Sequence, residues 1–307
     1  MTRENSGSRI DSPVCPPMLP YRGHRKNAII IRSLDELPNH AVLNHAYFLP
    51  LRQRSLIWQF ARRDVLARYR GSLLGLGWSF LTPLLMLAVY TFVFRIVFKA
   101  RWSTGGSDDF EFALQVYAGL IVFGLFAEVV SRAPRLVLDH PNLVKKVVFP
   151  REILPWVAVL AGLFHLVLNL VVLLAAAAFT RGSQPLTIVA LPLVLLPLVP
   201  LLLGLSWFLA GLGVFLRDVG QITSLVVSLL MFLSPVFYPV SGVPERWQPL
   251  LLANPLTPVI EQLRRVVLDG LWPEWSQLAL HLVIASVFAW AGARWFAATR
   301  KGFADVI

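Results

Sequence analysis

The sequence predicts an all-α polytopic membrane protein, with six transmembrane helices, an amphipathic interface helix ahead of them and short outer gate helices. Three observations carry this expectation. Of the 307 residues, 56% are hydrophobic and only 15% are charged, well below the ~25% charged share of soluble domains. The apolar residues gather into runs of about 20 or more rather than alternating short segments, which excludes a β-barrel. Arg62, Arg63, Arg68 and Arg70 crowd the front of the first long run, so the positive-inside rule puts that end in the cytoplasm.

Taken in order, residues 1–50 read as a cytoplasmic N-terminal extension, partly disordered. They begin polar, basic and proline-rich, and the apolar run Ala28-Ile29-Ile30-Ile31 is too short for a signal peptide. Residues 51–70 read as the interface helix. Leu56, Ile57, Phe60, Ala61 and Val65 recur at helical spacing against Arg54, Arg62, Arg63 and Arg68, which suits a helix in the headgroup plane.

Residues 71–307 form the six-span domain. Gly71, Gly75 and Gly77 make a corner before the first span, about 78–98, which carries no charge until Arg95. Further spans fall at about 112–131, 153–180, 186–216, 219–238 and 275–298. Pro192, Pro197 and Pro200 should kink the fourth. Between the fifth and sixth, prolines break residues 239–274 into pieces too short to span. Within that segment Leu256, Val259, Ile260, Leu263 and Val267 mark a small amphipathic helix, read as an outer-leaflet or re-entrant cap. Arg300-Lys301 closes the last span, so both termini lie inside.

The net charge of +11 follows topology rather than a nucleic-acid partner. Twelve of the 28 basic residues precede Trp78, and most others fall in inner loops, where orientation and anionic lipid account for them. One cysteine, Cys15, rules out a disulfide framework or a Cys-based zinc site, and the histidines show no metal-ligand spacing. No Gly-Lys dipeptide occurs, so the chain has no P-loop, and any ATP it depends on is hydrolysed by another chain.

Several stretches are candidates for chemistry. The inner segment Asn142, Leu143, Val144, Lys145, Lys146, Val147, Val148, Phe149 is a short helix framed by Pro141 and Pro150. It suits membrane packing or docking into a soluble partner. Arg63, Arg68 and Arg70 sit where an inner-leaflet headgroup lies, and guanidinium groups hold phosphate in a bidentate way; topology alone also places arginines here. Tyr90, Phe94 and Phe98 repeat every four residues, three rings along roughly 12 Å of one stripe at about 1.5 Å per residue. They suit either stacking on sugar rings or ordinary helix packing. Gln221, Ser224 and Ser228 share a face of the fifth span, His165 and Asn169 lie four apart in the third, and Glu128 and Arg132 can pair along the second. Asp108, Asp109 and Glu111 in the first outer loop suit solvation, or the acids of a membrane glycosyltransferase.

RRDVLARYRGSLLGLGWSFLTPLLMLAVYTFVF, NLVKKVVFPREILP, FLRDVGQI, SPVFYP and ANPLTPVIEQLR occur in that order. Together they resemble the membrane (permease) subunits of bacterial polysaccharide-export ABC transporters, which export O-antigens, capsules and teichoic acids. The likeness runs from about Arg52 to the C-terminus and leaves residues 1–50 outside. It implies a homodimer in the bacterial plasma membrane, bound to two copies of a cytoplasmic ATP-binding subunit that holds the ATP and Mg²⁺. No cofactor is expected on this chain. It also implies an interface helix at 52–70, a coupling or gate helix at 140–150, gate helices within 239–273, and an exit path at the dimer centre entered between the first and fifth spans. The expected cargo is a lipid-linked polysaccharide. Another amphiphile, or glycosyl transfer by the 108–111 acids, are the alternatives.

Overall fold

Helix α1 (Arg54–Tyr69) buries one residue per turn, Ile57, Ala61 and Val65. That stripe lies against Ile153 and Val157 at the foot of α4 (Leu154–Arg181), while Trp58 and Leu66 stay exposed among the arginines. The computed structural model describes residues 53–97, 109–140, 149–182 and 184–303. Among them every regular element is helical. The expected extension 1–50, Phe98, Asp108 and residues 142–148 of the expected coupling helix lie outside the described residues, as do the side chains of Phe94 and Asp109.

After α1 the backbone turns extended at Arg70, and Gly71 follows with φ 85°, a conformation that a side chain would strain. A 3₁₀ turn, Gly75–Gly77, leads into α2 (Trp78–Thr91), which continues as a π-helix over Phe92–Val97. Over Phe92–Val97 the bonding is i→i+5, so the ~1.5 Å rise expected from Tyr90 does not apply between Phe92 and Val97.

Helix α3 (Asp109–Arg132) is the buried centre. It touches α2, α4, α6, α7 and α9, and Val116, Ala118, Val122 and Val129 are wholly buried. The fourth apolar stretch is broken as its prolines require: a 3₁₀ turn, then α5 (Leu191–Leu195), then α6 (Leu198–Phe215) after Pro197. Helix α6 packs closely on α10 (Trp275–Thr299). A Cβ on Gly204 would stand 2.8 Å from Ala289 Cα, and one on Gly292 would collide with the Gly204 carbonyl. Small residues let the two backbones approach. Gly292→Leu is therefore expected to part the helices at a cost of about 2 kcal/mol or more, read as a lower melting temperature in detergent. Gly124→Ala, with nothing within 4 Å of the added Cβ, is the control expected to change little.

Among the described residues four helices are long and apolar enough to cross a membrane: Phe110–Arg135, Arg151–Thr180, Leu186–Phe215 and Trp275–Thr299. The protein is thus multi-pass. The other two expected spans are shorter as helices, Gly75–Thr91 and Val219–Leu233. The latter, α7, stops at Leu233 rather than Tyr238. Ser234 is extended (φ −92°, ψ 145°), as a following proline favours. Its 15 residues rise about 22 Å, short of a ~30 Å hydrocarbon core.

The broken segment between α7 and α10 contains α8 (Gln248–Ala253) and α9 (Thr257–Val267). The predicted stripe of α9 is fully buried, and burial extends around the helix to Thr257, Gln262 and Arg264. Packed against α3 and α5, α9 is buried among the described helices.

Candidate functional site

Two cavities flank Tyr69, at the joint between α1 and the first spans. The larger, about 710 Å³, runs along α1 to the glycine corner, with Trp58, Arg62, Arg63, Leu66 and Arg70 on its walls. Arg62, Arg63 and Arg70 are exposed, and none forms an ion pair among the described residues. The Arg63 guanidinium lies 4.4 Å from the centre of the Phe60 ring. Phe60 in turn packs 5.6 Å from Phe149, the one described residue of Asn142 to Phe149.

The smaller cavity, about 370 Å³, is an open cleft bounded by the end of α1 together with α2, α3 and α4. Beside it lies a polar network that ties three helices together. Arg68 donates to Glu128 Oε1 at 2.6 Å, and His165 Nδ1 lies 3.0 Å from Glu128 Oε2. Arg68 Nη1 also lies 3.2 Å from His165 Nδ1, and Nε2 lies 3.2 Å from the Tyr69 hydroxyl; with the ring proton on Nδ1 facing the carboxylate, Nε2 accepts from that hydroxyl. One turn along α4, Asn169 accepts from the Tyr117 hydroxyl at 3.0 Å and donates to the His165 carbonyl at 2.7 Å.

This arrangement divides the arginines that the sequence grouped. Arg68 is spoken for by Glu128, whereas Arg62 joins Arg63 and Arg70 in the larger groove. It also corrects the expected Glu128–Arg132 pair. Arg132 donates instead to Asp64 at 2.8 Å, because α1, docked on α4, holds Asp64 and Arg68 within reach of α3 and offers both residues partners across the helix boundary. Tyr90 lines the smaller cavity. Gln221, Ser224 and Ser228 are exposed on α7, with both serines donating to carbonyls one turn back, and they border neither cavity.

Arg264 went unnoticed in the sequence. It is 3% exposed and donates to the carbonyls of Gln115 at 3.0 Å, Pro235 at 2.7 Å and Val236 at 2.8 Å. Burial lowers its pKa to about 10, opposed by Glu261, so it remains charged at neutral pH. The signal was available. Ile260, Arg264 and Val267 are spaced i, i+4, i+7, which puts the arginine on the apolar face.

A family model described as "ABC-2 type transporter" matches residues 55–268, from α1 through the end of α9. The chain belongs to the ABC-2 type transporter family. Its similarity to characterised members extends over most of their length. It is 30% identical over 257 residues to an O-antigen export system permease protein RfbA of Myxococcus xanthus, covering 83% of this chain and 96% of that protein. It is 23% identical over 259 residues to an RfbA of Klebsiella pneumoniae, covering 82% and 95%. A second Klebsiella RfbA is 23% identical over 217 residues, covering 70% and 81%. As an ABC-2 transporter the chain is a membrane transport subunit, and the glycosyltransferase alternative falls away. The residues lining the two cavities all lie inside the ABC-2 match, with the arginines near its start.

Proposed function

We propose that this chain is the membrane-spanning subunit of an exporter that carries a lipid-linked polysaccharide out of the cytoplasm. The observation that carries the proposal is its likeness to three O-antigen export permeases over 81% or more of their lengths. In this reading two copies form a homodimer in the bacterial plasma membrane, with six spans each and both termini inside. The short helices α2 and α7 complete the six. Two cytoplasmic ATP-binding subunits hold ATP and Mg²⁺ and engage Asn142 to Phe149. The contact from Phe149 through Phe60 to Arg63 supports a mechanical path from that segment to α1.

The larger groove is the proposed headgroup site. Three guanidinium groups beside apolar Trp58 and Leu66 suit a ligand with phosphates at one end and hydrocarbon at the other. Replacing Arg62, Arg63 and Arg70 together with glutamine is expected to cut export about tenfold or more, a loss of ~1.4 kcal/mol in binding. Membrane level and ATPase binding should hold. Undiminished glycan at the cell surface in that triple variant would refute the headgroup site.

A further inference from the structure

We propose that the 370 Å³ cavity between α1, α2, α3 and α4 binds one neutral sugar ring. That ring is the one joined directly to the phosphates of the lipid-linked cargo. The proposal rests on the headgroup reading of the larger groove, since Tyr69 is a wall shared by both cavities.

The chemistry of the lining selects the ligand. Among the described residues no carboxylate lines this cavity, and the one arginine or lysine there, Arg68, is already held by Glu128 at 2.6 Å. A second phosphate would find no free positive charge here, unlike in the neighbouring groove. Trp78 and Tyr90 supply aromatic surface, which stacks against the apolar faces of a pyranose. Asn169 and Thr82 supply groups that pair with hydroxyls. The volume lies at the small end of the roughly 300–1,000 Å³ typical of ligand sites, fitting a sugar unit rather than a chain.

Ser79 is the second, independent pointer. It is 6% exposed, lines the cavity, and its hydroxyl has no hydrogen-bond partner among the described residues. Its carbonyl also lacks the usual helical donor, because residue 83, four positions on, is a proline within the helix. A buried hydroxyl without a partner is costly and calls for an explanation. A sugar hydroxyl supplies one, whereas a lipid tail would leave Ser79, Asn169 and Arg68 facing hydrocarbon.

The test uses the full chain in lipid nanodiscs and two probes: a short prenyl pyrophosphate, and the same molecule carrying one N-acetylhexosamine. The wild type is expected to bind the sugar-bearing probe about tenfold more tightly. Ser79→Ala and Tyr90→Leu should each shrink that ratio toward one while leaving the plain pyrophosphate affinity unchanged. Arg62→Gln with Arg70→Gln should weaken both probes alike and preserve the ratio. Equal binding of the two probes by the wild type overturns the sugar site, as does a ratio that survives both Ser79→Ala and Tyr90→Leu. A ratio that responds to Ser79→Ala, with affinities indifferent to the arginine changes, overturns the phosphate groove and leaves the sugar site standing.

Discussion

Arg264→Ala is expected to be among the most destabilising single substitutions in the chain. The guanidinium fork satisfies three carbonyls from two separate segments, Gln115 on α3 and Pro235 and Val236 after α7. Pro235 and Val236 lie where α7 has ended and no helical donor follows. Removing the fork leaves buried acceptors unpaired at about 1–3 kcal/mol each, so a total loss near 3 kcal/mol is a reasonable scale. For a protein of this size that corresponds to roughly 5–10 °C in melting temperature. Arg264→Lys keeps the charge but not the planar fork, and should fall between alanine and wild type. The measurement is thermal unfolding in detergent or nanodiscs. An alanine variant that melts with the wild type would mean the segment after α7 is held by other contacts.

The second large effect concerns the joint of α1 with the spans. Two ionic ties cross it, Arg68–Glu128 at 2.6 Å and Arg132–Asp64 at 2.8 Å. Both are partly solvated, with Arg68 39% and Arg132 36% exposed, so each contributes modestly to stability, on the order of 1 kcal/mol or less. The apolar stripe Ile57, Ala61, Val65 should keep α1 docked without them. Their expected role is to make α1 move with α3 and α4 as one body when the ATP-binding subunits move. Glu128→Gln combined with Arg132→Gln is therefore expected to leave assembly and ATP hydrolysis largely intact. Glycan exported per ATP should nevertheless fall about tenfold, the equivalent of ~1.4 kcal/mol lost from coupling. Unchanged export per ATP in this double variant would reduce the two pairs to packing details.

What the sequence disclosed followed from one-dimensional signals. Run length located the apolar helices, prolines located the break at Pro197, and spacing located both α1 and α9. The ends of α2 and α7 were harder to place. Composition stays apolar through Phe94 and Phe237, so hydropathy cannot register a switch to π geometry or an extended Ser234. Pairing was hardest. Glu128 and Arg132 satisfy the i, i+4 rule within α3, yet each binds a residue of α1, because partners across a helix boundary depend on docking that no local pattern records. The same holds for the arginines on α1. Arg62, Arg63, Arg68 and Arg70 look equivalent in the sequence, and only the position of Glu128 removes Arg68 from the set. Ser79 carried no signal at all, since a serine in an apolar helix ordinarily bonds to a carbonyl one turn back.

The most direct measurement of the central claim is translocation in sealed proteoliposomes containing this chain and its ATP-binding partner. A fluorescent lipid-linked oligosaccharide is supplied on the ATP side, and a glycosidase is trapped on the opposite side. The expected result is ATP-dependent cleavage of the oligosaccharide by the trapped enzyme, abolished when the permease is omitted or when ATP cannot be hydrolysed. Oligosaccharide that stays on the ATP side while ATP is consumed at the full rate would contradict the assignment of this chain as the export path.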